Sequence, residues 1–418
     1  MKKFFKSHFI KAISTLISGA IIAQIISLLI SPLITRLYTT EELGVYTLVL
    51  TGVTMFGGVI CGRYDMAIVS EQSDENVFKL VKISFIFTLV TSAIIGIGYY
   101  FFYDLEMLPS YLIALVMFLL LFLTGIRNIF VSFNNRNKEY KLMTQVYIVR
   151  TVVKDFLIVL LGTIKLGALG LIISQILGEI VGLKKQGQKI LPYSKEIMKI
   201  PNRDLKGVLK SHYKQPVYSV PSIFANNFSY ASINIFIAKL FGLSVLGLYF
   251  LTYKMLGMPL TIISSNVSKV FFQEASREYA EKKNYKKTFI KTTIILTAIA
   301  VPMTIVLYFF APLAFTVIFG KEWREAGLYV QILAPMFAIR FIVSALSPGM
   351  IISKKQNIDL LINCSFIILS VVSFFIAKEN EYTVINYLKL ITYTFSFVYI
   401  VAFVIFAKNA FNKTKRQS

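Results

Sequence analysis

The sequence predicts an all-α integral membrane protein of about 12 transmembrane helices, arranged as two six-helix bundles around a central cavity. Of its 418 residues, 56% are hydrophobic, and apolar runs recur from end to end. Each run has about 20 residues, enough to cross the hydrocarbon core as a helix. Since backbone groups in lipid must bond to one another and the period-two alternation of a barrel is absent, the spans are predicted to be helices.

The apolar runs define the predicted spans one by one. The first carries Lys11 and lacks a small-residue cleavage site, so we interpret it as a retained helix and not as a signal peptide. The predicted spans are 10–36, 44–62, 80–102, 111–133, 142–163, 166–183, 215–240, 245–270, 289–318, 326–352, 358–377 and 384–407.

The distribution of basic residues predicts the orientation. With the N-terminus inside, the inner segments and adjoining span ends carry 33 of the 44 Lys and Arg residues, and the outer hairpins carry 6. Short cytoplasmic loops are enriched in Lys and Arg. We therefore expect both termini in the cytoplasm.

The net charge of +23 does not indicate nucleic-acid binding, because most cations flank spans, where anionic headgroups attract them. Cys61 and Cys364 belong to separate spans, so no disulfide framework is predicted. His8 and His212 have no partners at metal-ligand spacing. With no Gly-Lys-Ser/Thr phosphate loop and no Ser-His-Asp set, we expect no metal, no cofactor and no enzyme activity.

A matched motif divides the chain into halves. Arg36–Tyr38 with Leu43–Tyr46 matches Lys239–Phe241 with Leu246–Tyr249 at a constant offset of 203 residues. This match indicates duplication, although leucine-rich sequence also produces chance matches. Six spans in each half predict a parallel repeat. The predicted domains are an N-terminal bundle at 1–183, a basic cytoplasmic linker at 184–214 and a C-terminal bundle at 215–418.

Ionisable residues within spans are costly and therefore functional candidates. Arg150 and Lys154 share a helical face, and Asp155 is close enough in sequence to pair locally. Two cations on one face repel unless water or an anion lies between them, so we expect a hydrated cavity of net positive charge. The other candidates in spans are Lys254, Arg340 and Glu179.

Polar residues in span seven and charges near span ends form a second group. Asn226 and Asn227 follow two prolines, which predicts a bent helix beside a polar cavity, with interhelical hydrogen bonding as the alternative. Arg36 and Lys239 lie at matched outer ends and are gate candidates, or headgroup anchors. The remaining rim candidates are Arg63 and Asp65.

Several segments together resemble a known family. These segments are Pro32–Tyr38 with Leu43–Tyr46, Arg63–Val69, Tyr213–Ser222, Leu246–Leu260 and Val270–Ala275. In them the chain resembles Wzx-type oligosaccharide flippases of the polysaccharide transporter family, over nearly its whole length. The wider MOP superfamily includes MATE multidrug exporters and the peptidoglycan-precursor flippase.

The resemblance implies translocation of undecaprenyl-diphosphate-linked oligosaccharide repeat units, for O-antigen or capsule, across the bacterial cytoplasmic membrane. It implies alternating access driven by an H⁺ or Na⁺ gradient, and a polymerase and chain-length proteins as pathway partners. Roles for the candidate residues follow as expectations, in three groups. The four deep cations are expected to bind the diphosphate or anionic sugars, the two asparagines to contact sugar hydroxyls, and the two acids to couple transport to the ion gradient. These residues are Arg150, Lys154, Lys254 and Arg340; Asn226 and Asn227; Asp155 and Glu179.

Two other functions remain as alternatives. A MATE-type cation or drug antiporter has a suitable fold, but its cavity should be acidic, whereas basic residues outnumber acidic ones at depth here. An integral-membrane polysaccharide polymerase needs a large outer loop, which the short outer hairpins do not provide.

Overall fold

The computed structural model describes residues 2–102, 108–259, 263–353 and 355–412, and helices account for nearly all of them. Within these residues, seven helices are long and apolar enough to cross a membrane, and two shorter apolar helices accompany them. The all-α, multi-pass prediction is confirmed. Each predicted span overlaps a helix, while the count of 12 crossings stays a prediction. Leu260 of the sequence motif lies outside the described residues.

The helices form two compact units, Met1–Ala231 and Ser232–Ser418. The helices of the first unit are α1 (Lys2–Leu37), α2 (Thr40–Gly57), α3 (Tyr64–Ser70), α4 (Asp74–Phe102), α5 (Ser110–Arg136), α6 (Tyr140–Thr163), α7 (Gly167–Ile180), α8 (Leu183–Gln186), α9 (Ser194–Lys199) and α10 (Asn202–Ser211). A π-helical turn at Gln215–Ser219 leads into α11 (Val220–Phe241), within which the division between the units falls.

The second unit contains the remaining helices. They are α12 (Leu243–Pro259), α13 (Ser265–Lys282), α14 (Lys286–Phe319), α15 (Arg324–Leu346), α16 (Gly349–Ile352), α17 (Gln356–Glu379) and α18 (Val384–Phe411). The predicted linker at 184–214 belongs to the first compact unit.

The first copy of the repeated motif is a helix start. The Thr39 hydroxyl accepts a hydrogen bond from the backbone N–H of Glu42 at 3.2 Å, and the Glu42 carboxylate accepts one from the Thr39 N–H at 2.8 Å. This reciprocal capping box satisfies two N–H groups that would otherwise lack partners at the start of α2.

The aromatic residues of that motif attach it to α6 and α7. The Tyr38 hydroxyl donates to the Ile158 carbonyl at 2.7 Å, and the Tyr46 hydroxyl donates to Gln175 Oε1 at 3.0 Å. Both tyrosines are buried. The motif therefore holds the α1–α2 hairpin against the helix pair that carries Arg150, Asp155 and Glu179.

The basic linker is docked on the first unit by two polar contacts. The ammonium of Lys82, a buried residue of α4, donates to the carbonyls of Met198 at 3.0 Å and Ile200 at 2.5 Å, at the end of α9. His212 Nε2 lies 3.2 Å from Glu71 Oε2, between α3 and α4. Hydrogen bonds from the Ser73 backbone and the His212 side chain keep the pKa of Glu71 below its ordinary value, with the backbone bond the stronger cause.

Close approach of α14 and α15 in the second unit depends on Gly327. A Cβ there would lie 2.6 Å from Pro312 Cα and 2.8 Å from the Ala311 carbonyl oxygen, which are backbone atoms and cannot move aside alone. We expect Gly327→Ala to destabilise the protein by about 1–3 kcal/mol through overpacking. Its apparent melting temperature in detergent, followed by size-exclusion chromatography after heating, should fall.

Gly98→Ala is the matched control, because a Cβ at Gly98 within α4 meets nothing within 4 Å. Alanine favours the helix over glycine, so this variant should melt at the wild-type temperature or above it. A Gly327→Ala protein as stable as the control would contradict the close packing.

Candidate functional site

Glu179 of α7 is the centre of a buried ion-pair network in the first unit. Its side chain is only 6% exposed and pairs with the guanidinium groups of Arg150 and, at 3.3 Å, Arg127. Gln175 Nε2 also donates to Glu179 Oε1, at 3.2 Å. Helices α5, α6 and α7 therefore meet at one carboxylate.

Glycine allows α6 and α7 to approach closely enough for this network. A Cβ at Gly178 would lie 2.8 Å from Lys154 Cβ, so a larger residue would push the two helices apart. The Gly178 carbonyl accepts a hydrogen bond from Arg150 Nε at 3.2 Å. Arg150 is thus held by both the side chain and the backbone of α7.

Lys154 and Asp155 form the second ion pair, 3.5 Å apart, and Asp155 is 1% exposed. The local pairing predicted for Asp155 is confirmed. The repulsion expected between Arg150 and Lys154 is relieved by protein carboxylates, because each cation has its own acidic partner. The five charges comprise three basic and two acidic groups, so the cluster keeps a net positive charge.

Arg127 and Arg150 also line a pocket of about 340 Å³ within the first unit. Its wall includes Tyr147 and Gln186. Arg127 lies near the inner end of predicted span four, a position typical of a plain headgroup anchor. Its ion pair with Glu179, 52 positions along the chain, was not predicted.

Arg340 of α15 lies among aromatic rings in the second unit. Its guanidinium carbon is 5.4 Å from the Phe337 ring centroid and 5.8 Å from that of Tyr253. One terminal nitrogen donates to the Tyr253 hydroxyl at 3.2 Å. Cation–π contacts fix the plane of a guanidinium and leave its charge intact. Lys254, adjacent to Tyr253 on α12, is half-buried.

The two asparagines differ in their surroundings. Asn227 Nδ2 donates to the Thr54 carbonyl at 3.1 Å and the Met55 carbonyl at 3.4 Å, so it attaches α11 to α2. Asn226 is half-buried. Pro216 lies in the π-helical turn that precedes α11, and such turns are common at functional sites.

The rim candidates lie at helix ends. Arg36 and Lys239 are exposed in the last turns of α1 and α11. Arg63 adopts a left-handed conformation (φ 63°) before α3 and donates to the Gly58 carbonyl at 3.5 Å. Asp65 in the first turn of α3 is buried, and burial raises the pKa of its carboxyl group against the opposing effect of Arg63.

The architecture matches that of known membrane transporters. An inward-facing MATE-family multidrug transporter of the MOP superfamily superposes with a TM-score of 0.70 at 11% identity, over 95% of this chain and 94% of that one. The lipid II flippase MurJ in an inward closed conformation gives a TM-score of 0.71 at 13% identity, over 97% and 90%. The fold is therefore that of MOP-superfamily transporters.

The sequence places the chain within one family. Residues 33–327 match the family described as "Polysaccharide biosynthesis protein", and the chain belongs to it. The resemblance drawn from the sequence is thus confirmed for the family. The teichuronic acid biosynthesis protein TuaB of Bacillus subtilis is 24% identical over 157 residues, or 38% of this chain, and the match spans about a third (32%) of that protein.

Proposed function

We propose that this protein is a flippase that translocates undecaprenyl-diphosphate-linked oligosaccharide repeat units across the bacterial cytoplasmic membrane, for a surface polysaccharide such as O-antigen or capsule. The observation that carries this proposal is the net-positive buried cluster around Glu179, beside a pocket lined by Arg127 and Arg150. Family membership and the MOP fold support it. A cation exporter would need the opposite sign of charge.

The deep cations are proposed to bind the diphosphate and any anionic sugar. Arginine matches a phosphate with two parallel hydrogen bonds, whereas lysine acts as a point charge. Arg150, Lys154, Lys254 and Arg340 supply this charge, and Arg127 joins them. Asn226 is proposed to contact sugar hydroxyls. The amide nitrogen of Asn227 is already engaged by α2, so its proposed sugar contact falls to its carbonyl oxygen.

Ion coupling is proposed to follow from competition for Arg150. A diphosphate entering the adjacent pocket would compete with Glu179 for the same guanidinium groups. A buried carboxylate that loses its partner is destabilised unless it takes up a proton or a cation. Asp155 is a second acceptor, since its Oδ2 makes no hydrogen bond to any described residue. H⁺ or Na⁺ would then be exchanged as the substrate is bound and released during alternating access.

The proposed setting is the cytoplasmic membrane with both termini inside, beside a polymerase and chain-length proteins of the same pathway. Arg36, Lys239, Arg63 and Asp65, at helix ends, are proposed to attract or gate the substrate. The exposure of Arg36 and Lys239 suits that role and a headgroup-anchoring role equally, whereas Arg63 is half-buried and Asp65 is buried.

A deletion strain tests the proposed function. We expect it to lose surface polysaccharide and to accumulate the lipid-linked repeat unit on the inner leaflet, where an impermeant glycosidase cannot reach it. The plasmid-borne gene should restore export. Single repeat units displayed outside would indicate a polymerase, and unchanged polymer with raised sensitivity to cationic drugs would indicate an exporter. Either result would contradict the proposal.

A further inference from the structure

A groove at the beginning of α14 combines a lysine cluster with an apolar wall. It lies in the second unit between the end of α13 and the first turns of α14, and its volume is about 740 Å³. Asn284 contributes an amide to it. The lysines that line it are Lys282, Lys286, Lys287 and Lys291.

The nearby acid, Glu278, is hydrogen-bonded to the start of α14, and Lys282 is the lysine of the groove that acts on its charge. Glu278 accepts hydrogen bonds from the Lys287 N–H at 3.1 Å and from the Thr288 N–H and hydroxyl at 2.8 and 2.7 Å. Burial raises the pKa of Glu278, but these bonds together with the charge of Lys282 outweigh burial, and the pKa lies below its ordinary value. Its carboxylate is thus committed to capping α14. Among the described residues, no carboxylate oxygen lies within 4 Å of the four ammonium groups.

The apolar wall continues from the lysines along α14. Ile290, Ile294 and Ile295 line the groove and are 39%, 62% and 46% exposed. Residues three and four apart share a helix face, so Ile290 follows Lys286, and Ile294 follows Lys287 and Lys291. The lysines and the isoleucines therefore lie on the same face of α14, about one helical turn (about 5.4 Å) apart, and together form an apolar stripe that begins at the charged groups.

Aromatic contacts hold one side of the groove in place. The Lys286 ammonium lies 5.2 Å from the Phe411 ring centroid, and Phe411 packs edge-on against Phe289 with centroids 6.0 Å apart. The lysine stem is thus positioned by α18 and its charge stays at the groove.

We propose that this groove binds an anionic phospholipid, with its phosphate on the lysines and an acyl chain along the isoleucines. Basic pockets beside transmembrane helices recognise anionic headgroups, and the predicted orientation places this one on the cytoplasmic side. Phosphate chemistry alone would not require the apolar stripe. The combination of charge and adjacent exposed isoleucines favours a lipid over a free phosphate.

The test uses the purified full-length protein in detergent. Phosphatidylglycerol is titrated and its binding is followed by native mass spectrometry and apparent melting temperature, with phosphatidylcholine and soluble glycerol phosphate in parallel. Of these three ligands, we expect only phosphatidylglycerol to bind the protein and to raise its melting temperature. The triple variant Lys286→Gln/Lys287→Gln/Lys291→Gln should weaken binding by about tenfold or more.

Two further variants distinguish specific lipid binding at the groove from a general effect of the protein's positive charge. Lys195→Gln/Lys199→Gln/Lys206→Gln removes the same charge from exposed linker positions and should bind as the wild type does. Ile294→Ser keeps the lysines, and it should also weaken binding. The proposal would be overturned if both triple variants lost phosphatidylglycerol binding equally, or if either groove variant (the Lys286/Lys287/Lys291 triple or Ile294→Ser) bound it as the wild type does. Full stabilisation of the protein by glycerol phosphate would also overturn it.

Discussion

Replacing Glu179 with alanine is expected to abolish polysaccharide export and to destabilise the protein by about 3–5 kcal/mol, because it leaves the buried Arg150 guanidinium without its carboxylate. The loss of stability should be large because the Glu179 side chain is only 6% exposed. Its carboxylate also pairs with Arg127 and accepts a hydrogen bond from Gln175. The measurements are the apparent melting temperature in detergent and the surface polymer restored in the deletion strain.

A double variant separates the structural role of Glu179 from its proposed coupling role. Arg150→Met/Glu179→Gln removes both charges and should regain much of the stability, since replacing both members of a buried pair is often nearly neutral. Export should stay abolished, because neither the anion-binding group nor the ionisable acid is present. Recovery of both stability and export would contradict the coupling proposal.

Glu75→Gln provides the matched control for Glu179. Glu75 also pairs with a basic residue, Lys79, but its side chain is 77% exposed in the first turn of α4. Exposed ion pairs contribute little to stability, so both export and melting temperature should match the wild type. If the Glu179→Ala protein matched this control in export and melting temperature, the buried network would contribute to neither, and the prediction would be wrong.

The sequence predicts the elements well because their signals are local. Hydropathy over about 20 residues defines a span, whereas the orientation drawn from basic residues near span ends stays a prediction. The capping box at Thr39 and Glu42 also has a local signature, Thr-x-x-Glu, which is present in the first copy of the motif and absent from the second, where Gly242 and Val245 stand at the equivalent positions.

The partners within the charged cluster are not local, and the sequence did not supply them. Glu179 joins residues of three helices, and Arg127 comes from a position 52 residues away. Which helices touch depends on packing, here on a glycine, Gly178, that lets α7 approach Lys154. Spacing on one helix predicted a local pairing of Asp155, which the structure shows to be with Lys154, but it did not show that Arg150 pairs with another helix.

Arg340 is expected to be required for export without being required for folding. Arg340→Ala should restore less than about a tenth of the surface polymer, because it removes the guanidinium that lies over the rings of Tyr253 and Phe337. Arg340→Lys keeps the charge but loses the planar fork, so its export should lie between those of alanine and wild type.

The control for Arg340 is Lys389→Ala, which removes an exposed lysine of α18. A lysine that extends its ammonium to the headgroups contributes charge but no specific contact, so full polymer is expected. Normal membrane levels and melting temperatures in all three variants would assign any export defect to the transport step. If Arg340→Ala restored full polymer, the guanidinium would have no part in substrate binding, and the charge that binds the diphosphate would have to come from the other proposed cations, Arg127, Arg150, Lys154 and Lys254.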